Sequence, residues 1–182
     1  MKKTFLVIFL FFALYSLSFA DNWEPILKIR PILDKDLDLL LKESLELDSQ
    51  MKINLAKVSE ILKLFINPPI SNLERGKLNL EWEKLRNERD KLALENDILT
   101  HLYDMLDIAG EDAFIIETLL FYNKNLKGSK MIKDRIKFRI KSTLTLIEES
   151  LEKGERLKFS YETIEVLNNV KSDLEKMLEI LK

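Results

Sequence analysis

Two runs of apolar residues, spaced alternately four and three apart and of nearly equal length, flank the triplet Asn67-Pro68-Pro69. The first is Leu33, Leu37, Leu40, Ser44, Leu47, Met51, Asn54, Val58, Ile61 and Phe65, with eight apolar side chains in ten positions. The second is Leu78, Trp82, Leu85, Arg89, Leu92, Asn96, Leu99, Tyr103 and Leu106. This alternation keeps one stripe of a helix against a partner helix. Proline ends a helix and holds the residue before it extended, so the triplet predicts a turn. Helices joined by a short connection lie antiparallel. The pattern predicts an all-α fold built on a long antiparallel, coiled-coil-like hairpin, with arms of roughly 45 to 50 Å.

The leucines at 78, 85, 92, 99 and 106 also resemble a leucine zipper. A parallel zipper would set Arg89 against its own copy in the core. Its flanking charges give little help, since Glu88 would meet Ala93 and Glu95 would meet Thr100. No basic region precedes the leucines. A hairpin closes the seam within one chain. In antiparallel packing the numbers of paired residues add to a constant, and a sum of 143 leaves enough chain for the turn. It sets Phe65 with Leu78, Val58 with Leu85, Met51 with Leu92, Ser44 with Leu99 and Leu37 with Leu106. Asn54 then faces Arg89, which predicts a polar layer whose two members satisfy each other.

The remaining breakers divide the chain further. Residues 21–32, with Pro25 and Pro31, read as extended. A first helix is expected from Leu33 to Ile66. Ser71 and Glu74 have the spacing of a capping box and open a second, ended at Ala109 by Gly110. A third is expected from Glu111 to Lys127, a fourth from Ser129 to Lys153 and a fifth from Glu155 to Leu181. The organisation expected is a hairpin over 33–109 and a three-helix bundle over 110–182. Leu80, Leu94, Ile98 and Met105 add a second apolar stripe to helix two, so the bundle should pack on the hairpin's distal half.

The first twenty residues, MKKTFLVIFLFFALYSLSFA, have the three parts of a secretory signal: Lys2 and Lys3, an apolar run, and small residues at Ser18 and Ala20. Cleavage is expected before Asp21. The run is shorter than the roughly 20 residues that span a bilayer, which disfavours an anchor. Without Lys2 and Lys3 the chain holds 27 basic and 31 acidic side chains, a net charge of −4, which argues against a nucleic-acid partner. There is no cysteine, hence neither a disulfide nor a lipoprotein cysteine. With its abundance of Leu, Lys, Ile and Asn, the sequence reads as an exported protein of the bacterial periplasm or cell surface, and not a lipoprotein.

Catalytic chemistry is thin. His101 is the only histidine, and a helix-face position explains it without a metal or relay role. The run from Asp34 imitates a calcium loop but has Leu39 where glycine is needed and Leu45 where the bidentate glutamate belongs. Its aspartates suit the start of a helix instead. Ser49-x-x-Lys52 and Ser150-x-x-Lys153 match a penicillin-binding motif, but the other elements of that site are missing. No enzyme activity and no cofactor are expected.

One segment stands out. Residues 124–141 carry eight basic side chains and one acidic, Asp134. On the fourth helix Lys130, Lys133, Lys137 and Lys141 share a face, while Phe138 and Met131 lie off both that face and the core face. Such a face suits an anionic surface (lipid head groups, lipopolysaccharide or another surface polysaccharide, an acidic partner). The plainer reading is a solvated lysine row with Phe138 packed on a neighbouring helix. The function expected is a non-catalytic protein-binding or scaffolding module of the envelope. The alternative is docking on anionic surfaces through Lys130, Lys133, Lys137, Lys141 and Phe138.

Overall fold

The computed structural model describes residues 22–66, 71–122 and 128–182. They form four α-helices: α1 (Glu24–Ile66), α2 (Asn72–Tyr122), α3 (Ser129–Leu157) and α4 (Tyr161–Ile180), with no strand among the described residues. The expected signal segment, residues 1–20, and the turn expected at Asn67-Pro68-Pro69 lie outside them. Each helix packs on the next and α4 packs back on α1, which closes an up-down-up-down bundle. With 43 and 51 residues, α1 and α2 outrun α3 and α4, which have 29 and 20. Their free halves continue as a two-stranded arm.

α1 begins nine residues before the point that its prolines suggest. Pro25 sits in the first turn, where no amide donor is needed. Pro31 is inside the helix but faces solvent, so the carbonyl it leaves without a donor can bond water. Ile26, Ile29 and Leu33 are fully buried. At roughly 1.5–3 kcal/mol each, their burial outweighs the ~3 kcal/mol cost of an interior proline. Residues 24–32 are therefore helical rather than extended. The aspartates at 34, 36 and 38 fall in the third and fourth turns, not at the helix start, so the macrodipole does not explain them.

α2 is likewise longer than expected. It runs through Gly110 to Tyr122, and the third helix expected after Gly110 is its continuation. A helical glycine costs only about 1 kcal/mol. Here Ala109, Ala113 and Ile116 are buried on either side of it. A Cβ at Gly110 would lie 3.4 Å from Leu37 Cδ1, and the Gly110 carbonyl accepts a 2.9 Å bond from Arg30 Nη1. The bundle is thus built by α1, the second half of α2, α3 and α4. Gly154 does not separate two helices either: α3 continues to Leu157 and turns at Lys158, whose φ of 57° is left-handed. At the other hairpin end Ser71 forms the expected box, its amide donating to Glu74 Oε2 at 2.9 Å and its Oγ accepting from Glu74 N at 3.3 Å.

The apolar interior falls into two clusters. The larger fills the bundle and takes in Leu40, Leu47, Leu92, Leu99 and Leu106, with Leu37 and Met51 against it. The smaller lies in the arm: Val58, Ile61 and Leu85, with Phe65, Leu78 and Trp82 packed on them. Ser44 Oγ donates to Asn96 Oδ1 at 2.6 Å and lies 3.5 Å from Thr100 Oγ1, so its partners bracket Leu99. Asn54 and Arg89 fall between the two clusters in sequence, but they do not satisfy each other. Arg89 Nη2 bonds Asp90 at 3.0 Å, while the buried Asn54 Oδ1 has no partner. A guanidinium on a long apolar stem reaches water at lower cost than it sheds its hydration.

Candidate functional site

α3 follows Gly128, whose φ of 101° favours glycine. Ile136, Ile140, Thr143 and Ile147 are buried on its inner side. Lys130 and Lys141 are exposed and Lys133 and Lys137 half-buried, and none of the four forms an ion pair with a described residue. Phe138 and Met131 are each 70% exposed. The plainer reading, in which Phe138 packs on a neighbouring helix, does not hold.

The surroundings of Phe138 follow from one ion pair. Arg135 Nε donates to Asp112 Oδ2 at 2.7 Å, and Nη2 bonds the other carboxylate oxygen. The pair fixes α2 against α3. Residues three, four and seven apart share a helix face. Met131 and Phe138 flank Arg135 at −4 and +3. Ile108, Ile115 and Leu119 flank Asp112 at −4, +3 and +7, and all three are exposed. Antiparallel packing sets Phe138 level with Ile108 and Met131 level with Ile115. The five side chains therefore surround the ion pair on the outer side of the α2–α3 groove. Lys141, one turn after Phe138, is where the lysine row meets this patch. The α2 half is hidden in the sequence because Gly110 reads as a helix end, whereas α2 runs through it. The spacing 108, 115, 119 across it was the available signal.

Two buried carboxyl groups have separate explanations. Glu95 of α2 is fully buried and receives Ser160 N at 3.2 Å, Ser160 Oγ at 2.8 Å and Thr163 Oγ1 at 2.8 Å. It satisfies the first turn of α4, where a negative charge is favoured. Thr163 Oγ1 also lies 3.4 Å from Glu43 Oε1, so α4 starts level with both residues. Asp36 of α1 is fully buried and neither carboxyl oxygen has a hydrogen-bonding partner. Burial, with the nearby Asp173 carboxylate, pushes it up to about 7. Asp173 of α4 is also burdened by burial, but hydrogen bonds from Lys176 and Lys35 hold it below the usual carboxylate range.

Among the described residues no three acidic, histidine or cysteine side chains come together as a metal site. His101 is exposed on α2. Lys52 of the first S-x-x-K match pairs with Asp48 at 2.6 Å. Among the described residues no helix is long and apolar enough to cross a membrane. No family model, curated protein or solved structure matches the chain.

Proposed function

We propose that the protein is a non-catalytic, exported binding module of the cell envelope that seats an amphipathic helix of a partner protein on the outer α2–α3 face. The observation that carries this reading is the exposed apolar patch of Ile108, Ile115, Leu119, Met131 and Phe138 around the Arg135–Asp112 pair. Contiguous exposed apolar surface with a polar rim characterises binding faces. An arginine amid apolar side chains is a common anchor of such interfaces. The unpaired lysines beyond Phe138 favour a partner helix with an acidic flank.

A photo-crosslinking residue at Phe138 or Ile115, introduced into cells exporting the protein, tests this. A discrete protein adduct is expected at both positions, lost when Lys137 and Lys141 become Glu, and absent from a control at Glu175 on α4. Adducts of equal yield at the control position would overturn the reading.

The second reading is docking on anionic lipid or lipopolysaccharide. It is favoured by Tyr122 and Phe121 at the end of α2, more than 80% exposed and close in sequence to Met131 and Lys130. Flotation with anionic vesicles at low salt, lost in the quadruple variant of Lys130, Lys133, Lys137 and Lys141 to Glu, would support it. Export rests on the signal-like segment alone. N-terminal sequencing should find a mature chain starting at Asp21.

A further inference from the structure

α1 carries a second seam that none of the described helices covers. Leu41, Leu45, Asp48, Lys52, Leu55, Ser59, Leu62 and Ile66 follow the inner-seam residues Leu40, Ser44, Leu47, Met51, Asn54, Val58, Ile61 and Phe65 by one position each. The outer stripe therefore has the same four-three spacing, turned about 100° round the helix. Its five apolar members are between 44% and 84% exposed. Leu41 and Leu45 line a shallow open groove with Asp38, Lys42 and Glu46. Coiled-coil spacing on a solvated face calls for a further helix.

The charges in the stripe decide which helix. Asp48 and Lys52 stand at its centre and pair with each other at 2.6 Å. Antiparallel seams pair residues whose numbers add to a constant. A sum of 100 puts Asp48 opposite Lys52 of a second copy, and Lys52 opposite its Asp48. The four side chains then form a ring of alternating charge about a two-fold axis near residue 50. The same sum sets Leu45 against the second copy's Leu55, and Leu55 against its Leu45. A parallel pair would instead oppose Asp48 to Asp48 and Lys52 to Lys52. An antiparallel pair shifted by one heptad, to a sum of 107, would set Leu41 against Ile66 and Leu45 against Leu62, but it would bring Lys42 alongside Lys63, leave Lys52 opposite Leu55 and Asp48 opposite Ser59, and pair no opposite charges.

We infer that two copies of this chain associate through the outer seam of α1, antiparallel and two-fold, with the Asp48–Lys52 layer fixing the register. A central polar layer is a known means of specifying register, and a two-fold interface must be self-complementary. The inference is independent of the α2–α3 face.

The absence of cysteine makes the register testable. Residues 45 and 55 are roughly 15 Å apart along one helix, too far for a disulfide within a chain. Expressed from the full chain and purified after export, Leu45→Cys and Leu55→Cys should each stay uncrosslinked alone. Mixed in equal amounts and oxidised, they should give a covalent heterodimer. Asp48→Lys and Lys52→Asp should each weaken the dimer at least tenfold in sedimentation equilibrium, and the double swap should restore it. Unchanged circular dichroism shows that these exposed substitutions leave the helices intact. A wild-type protein that stays monomeric at tens of micromolar would overturn the inference. So would single-cysteine proteins that crosslink as readily as the mixture.

Discussion

Asp36 and Asp173 bring two carboxyl groups together between α1 and α4, and the flanking lysines serve only one of them. Lys35 Nζ and Lys176 Nζ bond Asp173 at 2.5 and 2.7 Å, and Asp36 is left without a hydrogen bond. Asp36 is held at about 7 in the folded chain against 3.8 ordinarily. The native state thus keeps a proton that the unfolded state releases between those values. The associated stability is complete below about pH 4 and lost as the pH rises through 7, a few kcal/mol at most. Urea melts from pH 5.5 to 8 should show stability falling with pH. Asp36→Asn should remove most of that fall, and an equal slope in both proteins would refute the assignment.

Glycine at 154 is required and glycine at 76 is not. A Cβ at Gly154 would come within 2.8 Å of Phe159 Cδ2 and of Ile164 Cδ1, whereas one at Gly76 meets nothing within 4 Å. Gly154→Ala should cost about 1–3 kcal/mol through overpacking. Gly76→Ala should gain roughly 0.5–1 kcal/mol by relieving a helical glycine. Thermal melts of the two variants should shift in opposite directions.

Glu95 ties α4 to α2. Glu95→Ala leaves the Ser160 amide without its carboxylate and should destabilise the protein by about 1–3 kcal/mol. Ser160→Ala removes the cap that receives Thr163 N and should cost about 1 kcal/mol. Because both act on one first turn, the double variant should lose less than the two costs added together. Additive losses in denaturant would show that the contacts act separately.

Val58 and Leu85 lie in the arm's apolar cluster. With both changed to Cys, oxidation at low protein concentration should give a crosslinked monomer, since a disulfide needs Cα atoms within about 7 Å. A product crosslinked only between chains would mean that the inner seam is a dimer interface.

The hairpin was legible in the sequence because its information is periodic and repeated. Eight of ten seam positions agree, and one exception such as Ser44 does not spoil the pattern. The element ends were less legible because they rested on single residues. Pro31 and Gly110 each disfavour a helix by about 1–3 kcal/mol locally, while Ile26, Ile29 and Leu33, or Ala109, Ala113 and Ile116, act together against them. A rule about one residue cannot weigh that sum. Asp36 was open to notice as a polar residue among Ile29, Leu33 and Leu40 at seam spacing. The link from Glu95 to Ser160 spans 65 positions and has no local signature. Of the candidate face, the lysines and Phe138 were visible in the sequence, but its α2 half stayed hidden behind the break expected at Gly110.

The arm and the bundle share their two longest helices, so no linker separates tip from base. Force applied near Ile66 or Leu73 would travel along two continuous rods, α1 and α2, into the ring of four. The rods are coupled by apolar packing on both sides of Asn54 and Arg89, but neither of those two bonds the other across the gap. That layer is where bending costs least. The protein has the mechanics of a stiff lever with one compliant point, placed where the arm leaves the bundle.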